Sequence, residues 1–171
     1  LNEAMMADSW KFLKKKAASG VDKVTAAEYK ENFDENVSNL IERLKRGTYR
    51  ARLVKRKWIP KGQGKLRPLG LPVLEDKLLQ IAVTSILESI FEADYLPYSH
   101  GYRPNRGAQQ AALRLKNKLQ FGWYRYVVEA DIKGFFDNIN HDKLVEMLEK
   151  RIDDKPFIRL IKKWLKAGIL E

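Results

Sequence analysis

The run from Asp76 to Phe91 constrains the fold most, because apolar residues would cover most of its circumference if it forms a helix. A helix of this kind belongs inside a protein, so other elements must pack around it. With 171 residues, 44% of them hydrophobic, the chain can bury a core of its own. The length indicates one domain or one large piece of a bigger protein.

Two further helices and a hairpin are predicted before this run. Residues 4–17 read as a short helix with a basic end, and Thr25 followed by Glu28 is a capping box. Apolar residues at helical spacing then continue until Gly47, and we expect one helix over this stretch. From Tyr49 to Gly70 the pattern is β-rich on both sides of a glycine-containing turn. This favours a hairpin whose tip is Gly62, Gln63 and Gly64.

After the apolar run the pattern alternates between helix and strand. Ala111, Ala112, Leu115 and Leu119 predict a helix, and Tyr124 to Ala130 predict a short strand. Two more helices follow, one capped by Asn140, and one opened by Asp154 with Pro156 and closed by Gly168. The mixed order predicts an α+β or α/β fold without internal repeats.

Composition limits the function classes. Lys and Arg number 33 against 22 Asp and Glu, and the net charge of +11 favours a polyanionic partner. The chain has no cysteine and two histidines, which excludes disulfides and thiolate zinc sites and disfavours a histidine-rich metal site. No apolar run approaches the roughly 18 residues of a membrane span, and no signal peptide is recognisable. We expect a soluble, intracellular protein.

The stretch VVEADIKGFFDNINH, from Val127 to His141, leads from apolar β-formers directly into the carboxylate of Asp131. A carboxylate at the end of a buried strand needs a positive partner. Lys133 could supply a salt bridge, and Mg²⁺ could equally bind there, since it prefers one or two carboxylates together with substrate phosphates. Asp137 and Asn138 are typical turn and capping residues. Phe135 and Phe136 suit either the core or the wall of a nucleotide pocket.

Basic residues gather at two other places. Lys61, Lys65 and Arg67 flank the hairpin glycines as in a triphosphate clamp, although a solvated turn has the same composition. Arg103, in the sequence SHGYRP, could clamp phosphate or simply hold its loop in place. Cationic and aromatic side chains that suit a nucleic-acid strand also precede the hairpin tip: Lys55, Arg56, Lys57 and Trp58.

Four blocks in order resemble the fingers and the first part of the palm of group II intron-encoded reverse transcriptases with maturase activity. They are GVDKVT at 20–25, WIPKGQGKLRPLGLP at 58–72, DKLLQIAV with FEADYLPYSHGYRP, and VVEADIKGFFDNINH. The resemblance implies a right-hand polymerase fold, with an N-terminal extension and fingers over residues 1–122 and the start of the palm over 123–171. Helices would pack there with a basic β-hairpin and a short palm strand.

The resemblance also implies roles for individual residues. Asp131 would be the catalytic ligand of two Mg²⁺ ions, assisted by the backbone carbonyl of Ile132. Phe136 would be the steric gate at the sugar 2′ position, beside Phe135 in the nucleotide pocket. Lys61 and Arg67 would hold the triphosphate, with Lys65 as a further candidate. RNA contacts would fall on Lys55, Arg56, Lys57, Trp58 and Arg103. In the family mechanism the two Mg²⁺ ions activate the primer hydroxyl and stabilise the leaving pyrophosphate.

The partners implied are an intron RNA template, a DNA primer and deoxynucleotide triphosphates. The setting implied is the bacterial cytoplasm, or else an organelle. The family's glutamine-bearing motif, its paired-aspartate hairpin and its thumb are missing from the sequence, and Asp153 with Asp154 reads as a helix cap. We therefore expect the chain alone to be inactive.

Two other functions remain open from the sequence. One is a non-enzymatic RNA-binding module that serves splicing alone, which would have no use for a carboxylate such as Asp131 near phosphates. The other is a diguanylate cyclase, because DIKGFFDNIN loosely resembles the metal-binding strand of those enzymes. A cyclase would lack the basic residues between Lys61 and Arg67.

Overall fold

The computed structural model describes residues 1–62 and 64–170, so Gln63 of the expected hairpin tip and Glu171 lie outside the described residues. Helices and strands are mixed along the chain, as expected. The helices are α1 (Glu3–Phe12), α2 (Ala26–Glu31), α3 (Phe33–Lys45), α4 (Leu74–Phe91), α5 (Ala108–Phe121), α6 (His141–Glu149) and α7 (Lys155–Leu165). The strands are β1 (Val54–Gly62), β2 (Lys65–Leu71) and β3 (Ile169–Leu170). The chain divides into two compact units, Leu1–Ser85 with His141–Glu171, and Ile86–Asn140.

The core of the first unit forms where α1, α3 and the N-terminal half of α4 bury their apolar faces. Its most deeply buried side chains include Met6, Leu40, Leu78 and Leu79. The capping box that starts α2 is confirmed, since the Glu28 backbone N–H donates to Thr25 Oγ1 at 3.3 Å and the Thr25 N–H donates to Glu28 Oε2 at 2.8 Å. The bonds that Glu28 Oε2 accepts from the Thr25 N–H and from the Thr25 hydroxyl lower the pKa of Glu28.

Two expected helix boundaries were wrong. The single helix expected up to Gly47 is split at Asn32, whose backbone leaves the helical conformation (φ −124°, ψ 41°), as suits a residue that competes with helix hydrogen bonding. The first helix ends at Phe12, because Leu13 is extended and Lys14 begins a turn. Three consecutive lysines with no acidic residue three or four positions before them gain little from a further helical turn.

A buried polar network links α4 to the segment before β1 and to α7. Asp76 is 3% exposed, and its carboxylate accepts from Tyr49 Oη at 2.6 Å and from the Arg52 N–H at 3.1 Å. Trp164 Nε1 in turn donates to Tyr49 Oη at 2.9 Å. These partners were not predictable, because Asp76 starts an apolar run whose sequence does not indicate which distant residues it meets. The network fixes the base of the hairpin on the core.

The hairpin is confirmed, with β1 and β2 antiparallel and Trp58 opposite Pro68. The register is irregular between Pro60 and Gly62, which makes Lys61 the extra residue at a bulge. On its other edge β1 pairs in parallel with β3, and the Val54 N–H donates to the Gly168 carbonyl at 3.0 Å. The last helix begins as expected, with the Asp154 carboxylate accepting from the Phe157 N–H at 2.9 Å.

The second unit buries much less than the sequence predicted. The part of α4 within it is half-buried or exposed, so the expectation of a wholly internal helix was wrong there. Helix α5 forms as expected, but none of its residues is buried. The short strand expected from Tyr124 to Ala130 is absent, because no other strand of the described residues lies alongside to pair with its backbone. Across residues 1–62 and 64–170, no helix is both long and apolar enough to cross a membrane.

Candidate nucleotide and nucleic-acid site

The hairpin separates its cationic residues into two faces. Side chains alternate along a strand, and directly paired residues of an antiparallel ladder share a face. Lys55 and Lys57 therefore lie on the face of Arg67, because Arg67 pairs with Ile59. Arg56 and Trp58 occupy the opposite face, where the guanidinium lies 5.8 Å from the indole centroid. The four hairpin residues expected to bind RNA thus form two separate surfaces.

The residues of the expected triphosphate clamp lie at and beside the tip. Lys61 is at the bulge, Lys65 pairs with Gly62, and both lysines and Arg67 are exposed. Gly62 and Gly64 have φ values of +92° and +71°, which glycine adopts without strain. Among the described residues, none of these three cations forms an ion pair. Their charges are open to an external anion.

Asp131 belongs to the second unit, and it does not follow a buried strand. It is exposed, so the expectation that burial forces a positive partner on it was wrong. Within the described residues no ion pair joins Asp131 to Lys133, which removes that salt bridge as its explanation. The carboxylate faces solvent and is free to bind a ligand. The backbone of Ile132 follows it in the same exposed segment.

A tight turn presents two aromatic rings directly after Asp131. Gly134 has φ +61°, and Asn138 Nδ2 donates to its carbonyl at 2.7 Å, which confirms the turn role of Asn138. The rings of Phe135 and Phe136 meet edge to face with centroids 5.4 Å apart. They are 51% and 72% exposed, so neither is a core residue of this unit.

The described residues do not complete a divalent-metal site. They contain no group of three or more acidic, histidine or cysteine side chains that could hold a metal ion. Asp131 with the Ile132 carbonyl offers two oxygen ligands, whereas Mg²⁺ takes six in an octahedral arrangement. The two residues therefore suit a magnesium site but supply only part of its ligands.

Arg103 has a structural role within its loop. It is 8% exposed, and its guanidinium donates to both carboxylate oxygens of Glu92, from Nη2 at 2.5 Å and from Nε at 3.1 Å. Nη1 donates to the carbonyls of Leu96 and Ser99 at 2.9 and 3.0 Å. The hydrogen bonds from Arg103 lower the pKa of Glu92. This geometry favours the loop-holding alternative over a contact with RNA.

Comparison with known proteins places these features in a family. Residues 59–171 match the family described as reverse transcriptase (RNA-dependent DNA polymerase). The chain is 45% identical over 139 residues to the group II intron-encoded protein LtrA of Lactococcus lactis subsp. cremoris, which is 81% of this chain and 23% of that protein. It is 34% identical over 155 residues to protein YkfC of Escherichia coli K12, covering 89% and 41% of the two chains.

A plant relative is more distant. The nuclear intron maturase 1, mitochondrial, of Arabidopsis thaliana is 27% identical over 95 residues, which is 56% of this chain and 13% of that protein. The chain thus spans less than half the length of each of these relatives. The chain belongs to the reverse transcriptase (RNA-dependent DNA polymerase) family, and its resemblance to the group II intron-encoded reverse transcriptases and maturases is confirmed.

Proposed function

We propose that this chain is the fingers and first palm segment of an RNA-directed DNA polymerase that also assists intron splicing. The observation that carries the proposal is the exposed turn from Asp131 to Asn138, which lies inside the matched family region and presents a carboxylate followed by two aromatic rings. The fingers would cover residues 1–122, and the palm would begin at residue 123.

The hairpin would bind the incoming nucleotide. Arg67 can form paired hydrogen bonds with phosphate oxygens, and Lys61 at the bulge adds a mobile point charge, with Lys65 beside it. No acidic partner among the described residues competes for these cations. The exposed glycine backbone allows a phosphate to approach closely.

In the second unit, Asp131 and the Ile132 carbonyl would contribute ligands to magnesium, which supplies positive charge for the developing phosphate and leaving group. Reverse transcriptases in general use divalent metal ions. The remaining ligands are not among the described residues, so we expect the chain alone to be inactive. Phe136 would lie against the sugar and exclude a 2′-hydroxyl, with Phe135 supporting its ring.

The test is Asp131→Ala in the complete protein, measured by primer extension on an RNA template. We expect extension to be abolished and affinity for RNA to stay nearly unchanged, because one exposed carboxylate adds nothing to phosphate binding. Asp137→Ala is the matched control, since Asp137 is another exposed carboxylate of the same turn. Retained extension in the Asp131 variant would exclude the catalytic assignment.

A second function is favoured by the Arg56–Trp58 pair, which sets an exposed indole beside a half-buried guanidinium on a chain of net charge +11. Such a surface suits the stacking of a nucleic-acid base. It supports a non-enzymatic role in splicing, in which intron RNA is the partner and a DNA primer is not needed. Under this alternative, Asp131→Ala leaves splicing of the intron RNA intact, while Trp58→Ala reduces it.

A further inference from the structure

A cavity in the first unit is lined by cations from two helices that are distant in sequence. It encloses about 310 Å³ between the end of α3 and one side of α7. Lys45 and Arg46 line it from α3 and its C-cap, and Arg159 and Lys163 line it from α7. No acidic side chain is part of this lining, all of which is described. The volume lies at the small end of the range of ligand sites.

Helix capping does not explain the α3 cations. Basic side chains near a helix C-terminus often serve its free carbonyls. Here the backbone already does so, because the N–H groups of Arg46, Gly47 and Tyr49 donate to the carbonyls of Glu42, Leu44 and Arg43. The carbonyls of Gly47 and Tyr49, beyond the helix, accept from Lys163 Nζ at 3.1 and 2.5 Å. The Lys45 side chain is left without a local role.

The two cations that α7 contributes lie in different turns of the helix, because Arg159 follows the first turn and Lys163 lies in the last. The N-terminal end of a helix carries partial positive charge and favours acidic neighbours. The first turn of α7 has no acidic residue, and Arg159 follows one turn later. The N-terminal end of α7 borders the cavity through Pro156, while the Asp154 carboxylate that caps this end by accepting from the Phe157 N–H is not part of the lining.

The cations remain largely uncompensated. Among the described residues, Lys45 and Arg159 form no ion pair, and both are exposed. Lys163 Nζ donates to two neutral carbonyls and forms no ion pair among the described residues. Arg46 pairs with Glu42 at 2.5 Å on an exposed surface, where such a pair contributes little and can exchange for a stronger anion.

We propose that this cavity binds backbone phosphates of RNA, as a contact separate from the nucleotide site. Lys163 is held in place by its two carbonyl bonds, and Lys45 and Arg159 supply the donors that can move to a phosphate oxygen. A cluster of this charge favours a polyanionic ligand, and the choice of RNA rests on the proposed function. None of the cavity residues belongs to the hairpin clamp or to the Asp131 turn.

The test is Lys45→Gln with Arg159→Gln in the 171-residue chain, with binding of a labelled single-stranded oligouridylate RNA measured by anisotropy across salt concentrations. Each phosphate contact to a single strand contributes about 0.7 to the slope of log affinity against log salt, so we expect the slope to fall by about 1.4. The control is Lys30→Gln with Lys116→Gln, which removes the same charge from two exposed sites outside the cavity. We expect the control to keep the slope of the unmodified chain.

An equal fall in both double variants, or no fall in the cavity variant, overturns the proposal. Competition by inorganic phosphate tests whether the cavity binds free phosphate instead of the phosphates of RNA. If the cavity variant loses phosphate binding but keeps its RNA slope, the cavity takes free phosphate and the RNA assignment is wrong. Thermal melting of each variant checks that folding is retained. The readout requires no polymerisation, so failure here is distinct from failure of the Asp131 test.

Discussion

Asp76 is a buried acid whose surroundings act on its ionisation in opposite directions. Burial raises its pKa above the ordinary value of 3.8, although the hydrogen bonds from Tyr49 and from the Arg52 backbone pull the pKa down. An acid whose pKa is raised on folding binds protons more tightly in the folded state. The folded state therefore gains most from this residue at low pH.

We expect the stabilising contribution of Asp76 to be complete below pH 3.8 and to decline as the pH rises through the higher pKa of the folded state. Asn cannot titrate. The free energy of unfolding of the unmodified chain minus that of Asp76→Asn should therefore fall with rising pH. Denaturant unfolding over a pH series measures this difference. Tyr49→Phe removes a donor that lowers the pKa and should extend the decline to higher pH; a difference that rises with pH contradicts the assignment.

Arg103 marks the limit of what the sequence could show about single site residues. Its two alternatives, phosphate clamp or loop support, were both visible, but the choice depends on Glu92, eleven residues earlier, and on two carbonyls that only the folded loop brings near. Asp131 is the reverse case. Its position in a family block was evident, while its exposure was not, because exposure depends on whether neighbouring strands cover the segment.

At the scale of elements, the GVDKVT block at 20–25 begins with a glycine that packs against the segment just before α4. A Cβ at Gly20 would lie 2.6 Å from the Val73 backbone N and 2.8 Å from the Pro72 carbonyl carbon, just before α4. Lys77 on α4 donates to the Ala18 carbonyl at 2.6 Å and holds the same loop. The absence of a side chain at residue 20 is what allows this approach.

Gly20→Ala should destabilise the chain by about 1–3 kcal/mol, as overpacking does when the atoms in the way belong to backbone and cannot turn aside. Thermal or denaturant unfolding measures the loss. Gly101→Ala is the matched control, because a Cβ there meets nothing within 4 Å and its φ is not positive. Equal stability of the two variants would contradict the prediction, because it would show that the backbone at Pro72 and Val73 shifts at little cost in free energy.

Elements were predictable where their causes are local. Thr25 with Glu28, and Asp154 with Pro156, start helices through bonds that span three residues, and both starts were correct. The hairpin followed from its glycines for the same reason. The segment from Tyr124 to Ala130 failed, because a strand requires a partner and its composition says nothing about where one lies. The break at Asn32 failed because the apolar spacing continues across it.

At the scale of the whole molecule, burial is uneven between the two units. Every residue from Ile86 to Asn140 is described, and Arg103 alone among them is buried. The exposed side chains there include large aromatic residues, with Trp123 at 97% and Tyr126 at 91%. Regions with few buried apolar groups open locally at low free-energy cost.

We therefore expect the amides of α5 to exchange with deuterium much faster than those of α3, which buries Val37, Leu40 and Ile41. Hydrogen exchange followed by mass spectrometry on the chain measures both helices in one experiment. Helix α7, which buries Phe157, Ile158, Leu160 and Ile161, is the internal reference and should follow α3. Protection of α5 equal to that of α7 would contradict this account of the second unit.

The parallel pairing of β3 with β1 has a consequence for the protein during its synthesis. Lys55 is paired with Leu71 soon after the hairpin leaves the ribosome, but its other partner, Leu170, is translated much later. One edge of β1 stays open throughout that interval, and an open strand edge can join a strand of another nascent chain. Charged side chains, lysine above all, discourage such pairing. Lys55, Arg56 and Lys57 thus disfavour pairing of the incomplete sheet with another chain until β3 has been made.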